Sequence, residues 1–244
     1  MFKTIDRCIA RVALGLALCA AISPALAQVA PPLGQASDFA VLGGSAVTNT
    51  GASLVTGDVG TSPGTAITGF PPGTLTGTLH SNDASSQGGQ SDLTTAYNAL
   101  AGQACNTSLS GTDLGGLTLS PAVYCFSSSA QLTGTLTLDA QGSPNAVFVF
   151  QIGSTLTTAT ASNVNVINGG SDCNVFWQIG SSATLGTGTS LAGNMLALTS
   201  ITLTTGATSH GALLARNGAV TMDTNDVSVC APVTPVTLQS FDVA

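Results

Sequence analysis

An all-β, three-sided parallel β-solenoid with one long α-helix beside it is the fold class that this sequence predicts. The first observation is a repeat. The stretch Thr184-Leu185-Gly186-Thr187-Gly188-Thr189-Ser190, then Gly193 and Met195-Leu196-Ala197, recurs 18 residues later. The second copy is Thr202-Leu203-Thr204-Thr205-Gly206-Ala207-Thr208, then Gly211 and Leu213-Leu214-Ala215. One turn of a three-sided solenoid takes about 18 to 20 residues, three short strands joined at corners. The second observation is alternation. Ile201 and Leu203 flank Thr202, and Leu132, Leu136 and Leu138 interleave with Thr133, Thr135 and Thr137. A period of two puts the aliphatic residues inside and the threonines outside. The third is composition. Threonine, with 34 copies, is the commonest residue, and its β-branch favours strands while its hydroxyl keeps a strand face wettable.

The elements follow in chain order. Lys3, Arg7 and Arg11 precede the apolar run 12–22, and Ala25-Leu26-Ala27 offers a small-x-small cleavage site. Residues 1–27 therefore read as an export signal cut after Ala27. Residues 28–244 read as one secreted domain, released rather than tethered. Asn82 or Asp83 starts a helix of about 83–102, whose stripe is Leu93, Ala96, Tyr97 and Leu100. That helix should cover one solenoid side and remove it from binding. The Gly/Ser/Thr stretch of about 104–120 reads as a loop capping a solenoid end. A looser repeat copy begins at Val220. Phe150-Gln151-Ile152-Gly153-Ser154 echoes Trp177-Gln178-Ile179-Gly180-Ser181 at a longer spacing, as inserted loops would produce. The tail from Ala231, with Pro232 and Pro235, reads as extended.

Charge narrows the function. Charged residues are 6% of the chain, net charge is −7, and every acid is an aspartate. Beyond the signal, Arg216 is the sole lysine or arginine. Nothing here suits nucleic acid or an anionic membrane. Four cysteines remain in the exported part, with three possible connectivities. The favoured pairs are Cys105–Cys125, closing a loop after the helix, and Cys173–Cys230, tying a middle turn to the C-terminus. No Cys/His spacing supports zinc, and no cofactor motif is present. Asp223, Asn225 and Asp226 could offer oxygens to calcium, but corner turns use the same residues. Asp58 reads as a turn residue, and Asp139 stands isolated. His80 and His210 lack an evident partner in sequence, and no nucleophile motif appears, so the chain reads as a non-enzyme. An adhesive, glycan-binding surface protein is the alternative. Trp177, Tyr97 and Tyr124 are few aromatics for sugar stacking.

Longer matches add a family. Phe39-Ala40-Val41-Leu42-Gly43-Gly44-Ser45-Ala46-Val47-Thr48-Asn49-Thr50, Gly57-Asp58-Val59-Gly60-Thr61-Ser62-Pro63-Gly64 and Ile67-Thr68-Gly69-Phe70-Pro71-Pro72-Gly73 resemble the opening of the secreted microbial ice-binding proteins. Leu93 to Tyr97, Ser120 to Tyr124, Val175 to Ala183 and Ala215 to Thr221 continue the resemblance in the family's order. It implies a right-handed solenoid whose coils are not laid down in chain order, acting as a monomer on the surface of an ice crystal. It implies a pattern Thr-(Ala/Gly)-x-(Thr/Asn) on one flat face. Thr65-Ala66-Ile67-Thr68 and Thr205-Gly206-Ala207-Thr208 match that pattern, Thr187-Gly188-Thr189-Ser190 nearly so, and Thr157-Thr158-Ala159-Thr160 more loosely. The expected ice-contact set is Thr65, Thr68, Thr158, Thr160, Thr187, Thr189, Ser190, Thr205, Ala207, Thr208 and Thr224. Threonine suits such a face physically. Its methyl and hydroxyl are held by a stiff χ1, and an uncharged surface avoids ordering water in a non-ice pattern.

Overall fold

The computed structural model describes residues 28–230. The signal reading of 1–27 and the tail from Ala231 lie outside it. The strands form three all-parallel sheets of nine, seven and eight strands, here called A, B and C. The chain visits A, B and C in turn, one short strand each, so each circuit is one solenoid coil.

The coils are stacked out of sequence order. The N-terminal strand Phe39–Gly43 pairs with Leu213–Ala215, Ala46–Thr50 with Val220–Asp223, and Leu54–Thr56 with Asp226–Ser228. A second N-terminal coil, from Asp58 to Leu75, adds beyond these, and Leu79–Ser81 ends sheet A. The chain then crosses to the far end of the body through helix α1 (Ala84–Ala101) and re-enters at Thr107–Ser108. Sheet A is about 38 Å long, eight steps of about 4.8 Å. The 18-residue helix covers about 27 Å of it.

Local chemistry explains the helix bounds. Asp83 is the N-cap, and its carboxylate accepts the Ser86 N–H at 2.9 Å. Leu93, Ala96, Tyr97 and Leu100 are buried, as the stripe requires. They pack on Leu42, Val149, Phe176, Leu196 and Leu214, the outward residues of sheet A. Gln151 Nε2 donates to the carbonyls of Leu100 and Gln103 at 2.7 and 2.8 Å, satisfying the helix end. Sheet A is therefore apolar on both faces, which its near-continuous hydrophobic strands already require.

Inside the solenoid, Tyr124, Phe150 and Trp177 occupy adjacent positions on neighbouring strands. Phe150 and Trp177 stack at 4.1 Å between centroids, and Trp177 Nε1 donates to Ala192 O at 3.0 Å. Among the described residues, Cys105–Cys125 and Cys173–Cys230 form disulfides. The stretch expected as a loop over 104–120 contains short strands at Thr107–Ser108 and Thr118–Leu119, and Asp113 bridges to Gln131. It forms an incomplete last coil. The sequence hid this because its strands are only two residues long and wholly polar or half-exposed.

Candidate functional site

Sheet A is covered by α1, which leaves B and C as open faces. Along sheet B the pairing register places Gln131, Thr157, Thr184, Thr202, Thr221, Thr48 and Thr68 side by side. Six consecutive threonines thus form one outward rank, about 4.8 Å apart. Their strand neighbours Leu156, Ala183, Leu185, Ile201, Leu203, Val220 and Val47 point inward and are buried. That core fixes the height of the rank. On one side of it stand Thr155, Ser182, Ser200, Ala219, Ala46 and Ala66; on the other, Ala159, Gly186, Thr204, Asp223 and Thr50, while Phe70, two residues past Thr68, packs partly buried against the core instead. All the flanking residues but Asp223 are small and neutral, so the face has low relief.

The corner from B to C carries a second rank. Thr160, Thr187 and Thr205 are exposed and in register. Each is followed by a residue in the left-handed region: Ala161 (φ 57°), Gly188 (φ 66°) and Gly206 (φ 72°). Such a φ favours glycine and tolerates little else. The third residue turns inward, and the fourth opens sheet C as Asn163, Ser190 and Thr208. The four-residue pattern is therefore a corner: exposed Thr, left-handed residue, buried residue, first outward position of C. Its true third copy is Thr160-Ala161-Ser162-Asn163, three residues later than the sequence reading placed it. Coil spacing is longer there, and only the strand register reveals the offset.

The sequence-expected contacts separate accordingly. Thr160, Thr187 and Thr205 line the corner. Thr68 lies in the sheet B rank, and Thr65 is exposed just before it. The match Thr65-Ala66-Ile67-Thr68 runs into the strand Ala66–Thr68 and makes no corner. Ser190 and Thr208 face outward on sheet C. Thr224 is exposed at φ 54°. Thr158, Thr189 and Ala207 are buried at 3%, 0% and 0% exposure and can touch no surface. Their burial has a purpose. Thr158 Oγ1 and Thr189 Oγ1 are 2.7 Å apart, and Thr158 Oγ1 accepts the Gly186 N–H at 2.8 Å. These hydroxyls stitch successive coils where corner amides would otherwise be orphaned. The rank at Thr157, Thr184, Thr202, Thr221 and Thr48 was missed, because its spacing changes from coil to coil and its last step jumps back to the N-terminus.

Sheet C is different in character. Asp226 stands in its outward rank, and His210 Nδ1 pairs with Asp172 Oδ2 at 2.8 Å. Together with Ser190, Thr208 and Ser228 they line a shallow depression of about 290 Å³. A charged, indented face offers no regular array. The remaining ionic cluster lies at the edge of sheet A. His80 bonds Asp83 at 2.7 Å and Asp58 at 3.3 Å, partners that sequence alone did not supply. Burial of the His80 ring opposes its charged form, but Asp83 and Asp58 outweigh this and its pKa is raised above 6.5. The Ser86 amide and then His80 hold Asp83 down at about 2. The cluster clamps the helix start to the end coil. The Asp58 carboxylate also accepts the Thr78 N–H, a turn role. Asn225 uses its side chain on the Thr204 and Ala207 carbonyls, as a corner residue does. Among the described residues no group of three or more His, Cys, Asp or Glu could hold a metal ion.

The sequence profile of a family described as ice-binding-like matches residues 41–228. A protein of Nostoc sp. (strain HG1) called ice-binding protein is 62% identical over 197 residues, covering 80% of this chain and 73% of the relative. The crystal structure of an ice binding protein from an Antarctic biological consortium aligns with a TM-score of 0.81 at 51% identity, covering 83% of this chain and 92% of that one. The ice-binding protein of the Antarctic ascomycete Antarctomyces psychrotrophicus gives a TM-score of 0.81 at 45% identity, over 84% and 100%.

Proposed function

The chain belongs to the ice-binding-like family, and from that premise we propose that it adsorbs to ice crystals through the outward face of sheet B and the adjoining corner threonines. Adsorption of this kind gives thermal hysteresis and inhibits ice growth and recrystallisation. One observation carries the choice of face: the rank of six threonines from Thr157 to Thr68, uninterrupted across six strands.

The physical case is multivalency on an uncharged lattice. Each threonine presents a methyl that water can cage and a hydroxyl that can anchor the cage. Held by its strand and a stiff χ1, it loses little entropy on contact. Weak contacts then add because they are fixed to one rigid body. Ser190 and Thr208 fall outside this face, beside Asp226 and His210. We read the protein as an exported, monomeric non-enzyme. The two disulfides and the leader composition support export.

The test uses oxidised protein lacking residues 1–27. Thermal hysteresis and recrystallisation inhibition are measured up to high micromolar concentration, alongside size-exclusion chromatography. Crystal-shaping and hysteresis from a monomer are expected. Absence of both at high micromolar concentration would overturn the proposal.

A further inference from the structure

The geometry points to Asp223 as a positioning residue that extends the ice-facing corner by one coil. This inference rests on the proposed ice face and names a residue that orders it. Two registers collide at this point. On sheet B the last C-terminal coil follows its neighbour at a spacing of 19 residues, Thr202 opposite Thr221. On sheet C the spacing is 18, Thr208 opposite Asp226. The corner between them is therefore one residue short, and the threonine that should follow Thr160, Thr187 and Thr205 is missing.

Asp223 stands beside the gap. Thr205 Oγ1 donates to its Oδ2 at 2.5 Å, and Thr224 Oγ1 donates to its Oδ1 at 3.1 Å. A carboxylate only accepts, so both hydroxyl protons must point at Asp223. Their lone pairs are thereby turned away from it, and each hydroxyl is held in one orientation. The contrast lies one coil away. Thr187 and Thr204 are 3.3 Å apart with no carboxylate between them, and Thr204 Oγ1 already donates to the Leu185 carbonyl at 2.9 Å. Thr224 is itself a β-branched residue at φ 54°, where the preceding coils carry Gly206 and Gly188. That backbone is unfavourable for threonine, and its bond to Asp223 helps hold it.

A lone charge on a neutral face also needs a reason. Arg216 lies 4.7 Å from the Tyr97 ring on the helix side of the body and neutralises nothing here. Two charge-assisted hydrogen bonds and no ion pair are what the carboxylate has. It joins Thr205 to Thr224, so the corner rank continues where the chain is short.

Asp223→Asn tests this. The amide keeps the shape and one acceptor oxygen but puts an N–H donor in place of the other, so one threonine hydroxyl loses its acceptor and its proton must turn elsewhere. Uptake of the oxidised protein into slowly growing ice should fall about three- to tenfold, the scale of one hydrogen bond. Side-chain scalar couplings of Thr205 and Thr224 should show χ1 averaging in the variant and single rotamers in the parent, at an unchanged melting temperature. Thr205→Val should lower uptake similarly, and the double variant should lose little more. Unchanged uptake with fixed rotamers in Asp223→Asn overturns the assignment. So does a loss that follows a lowered melting temperature while the rotamers stay fixed. A parent protein without hysteresis sinks the ice reading instead, and the rotamer measurement alone then decides whether Asp223 positions its neighbours.

Discussion

Thr202→Tyr is the sharpest perturbation of the proposed face. Thr202 is third of six in the sheet B rank, between Thr184 and Thr221. A tyrosine there stands above its neighbours and lifts at least those two, as well as itself, off a flat lattice. Each lost methyl contact is worth about 0.8 kcal/mol on the scale of apolar burial, so three cost about 2.4 kcal/mol. That corresponds to roughly a fiftyfold loss of affinity for ice. Stability should hardly move, since tyrosine is a good strand residue and the site is on the surface; about 0.5 kcal/mol is the expected limit. The assay is uptake of fluorescently labelled protein into a growing ice hemisphere, with urea denaturation in parallel. Thr208→Tyr, across the corner on sheet C, is the matched control and should stay within about twofold of the parent. Retention of more than a third of parental uptake by Thr202→Tyr, or an equal loss in Thr208→Tyr, would refute the choice of face.

Three further outcomes concern the scaffold. Trp177→Leu removes a stacked pair worth about 0.5–1.5 kcal/mol and leaves the buried Ala192 carbonyl without its donor, about 1–3 kcal/mol more. Urea denaturation should therefore show a loss of about 1.5–4.5 kcal/mol. Gly206→Ala places a Cβ in open space but at φ 72°, so its cost is conformational, about 1–2 kcal/mol by the same measurement. An unaffected midpoint would mean that the corner can relax. The His80 cluster predicts opposite responses at two ends of the pH scale. The raised His80 pKa gives stability that is full below 6.5 and lost as pH rises through the raised value. The lowered Asp83 pKa gives stability present above 3.8 and lost as pH falls toward about 2. Melting curves should show the alkaline loss in the parent and its absence in His80→Gln.

How far the sequence reached depends on the kind of information each feature carries. The helix was legible to within two residues because capping and the Leu93–Tyr97–Leu100 stripe are local signals. Alternation was legible for the same reason, and so was the coil length. Register was not. Thr157 to Thr184 is a step of 27, Thr184 to Thr202 of 18, and Thr202 to Thr221 of 19, each set by loop length at another corner. Thr221 next to Thr48 joins residues that no periodicity connects. A short pattern also carries no φ. Thr65-Ala66-Ile67-Thr68 and Thr205-Gly206-Ala207-Thr208 look alike as letters, yet the first leads into an extended strand and the second bends around a left-handed glycine. Asp83 is only three residues from His80, but the other partners of the two histidines were hidden for a related reason. Asp58 and Asp172 lie 22 and 38 residues away, and only coil stacking brings them close.

The out-of-order winding has a functional consequence. Wound strictly in sequence, the C-terminal coils alone would give a rank of four, Thr157, Thr184, Thr202 and Thr221. The N-terminal coils add Thr48 and Thr68 to the same line. They can do so because α1 carries the chain back along sheet A, burying that sheet's outer apolar face in the same stroke. The helix thereby covers most of the outer face of sheet A, and sheet C is broken by Asp226 and the His210–Asp172 pair. Adding two threonines to four matters more than proportionally, since contacts held on one rigid body multiply in their effect on residence. The helix, which never approaches the proposed ice surface, is on this account what sets the length of the rank that does. Shortening the rank from its N-terminal end tests that link: Thr48→Asp with Thr68→Asp should weaken uptake more than either single change while the four C-terminal threonines remain in place.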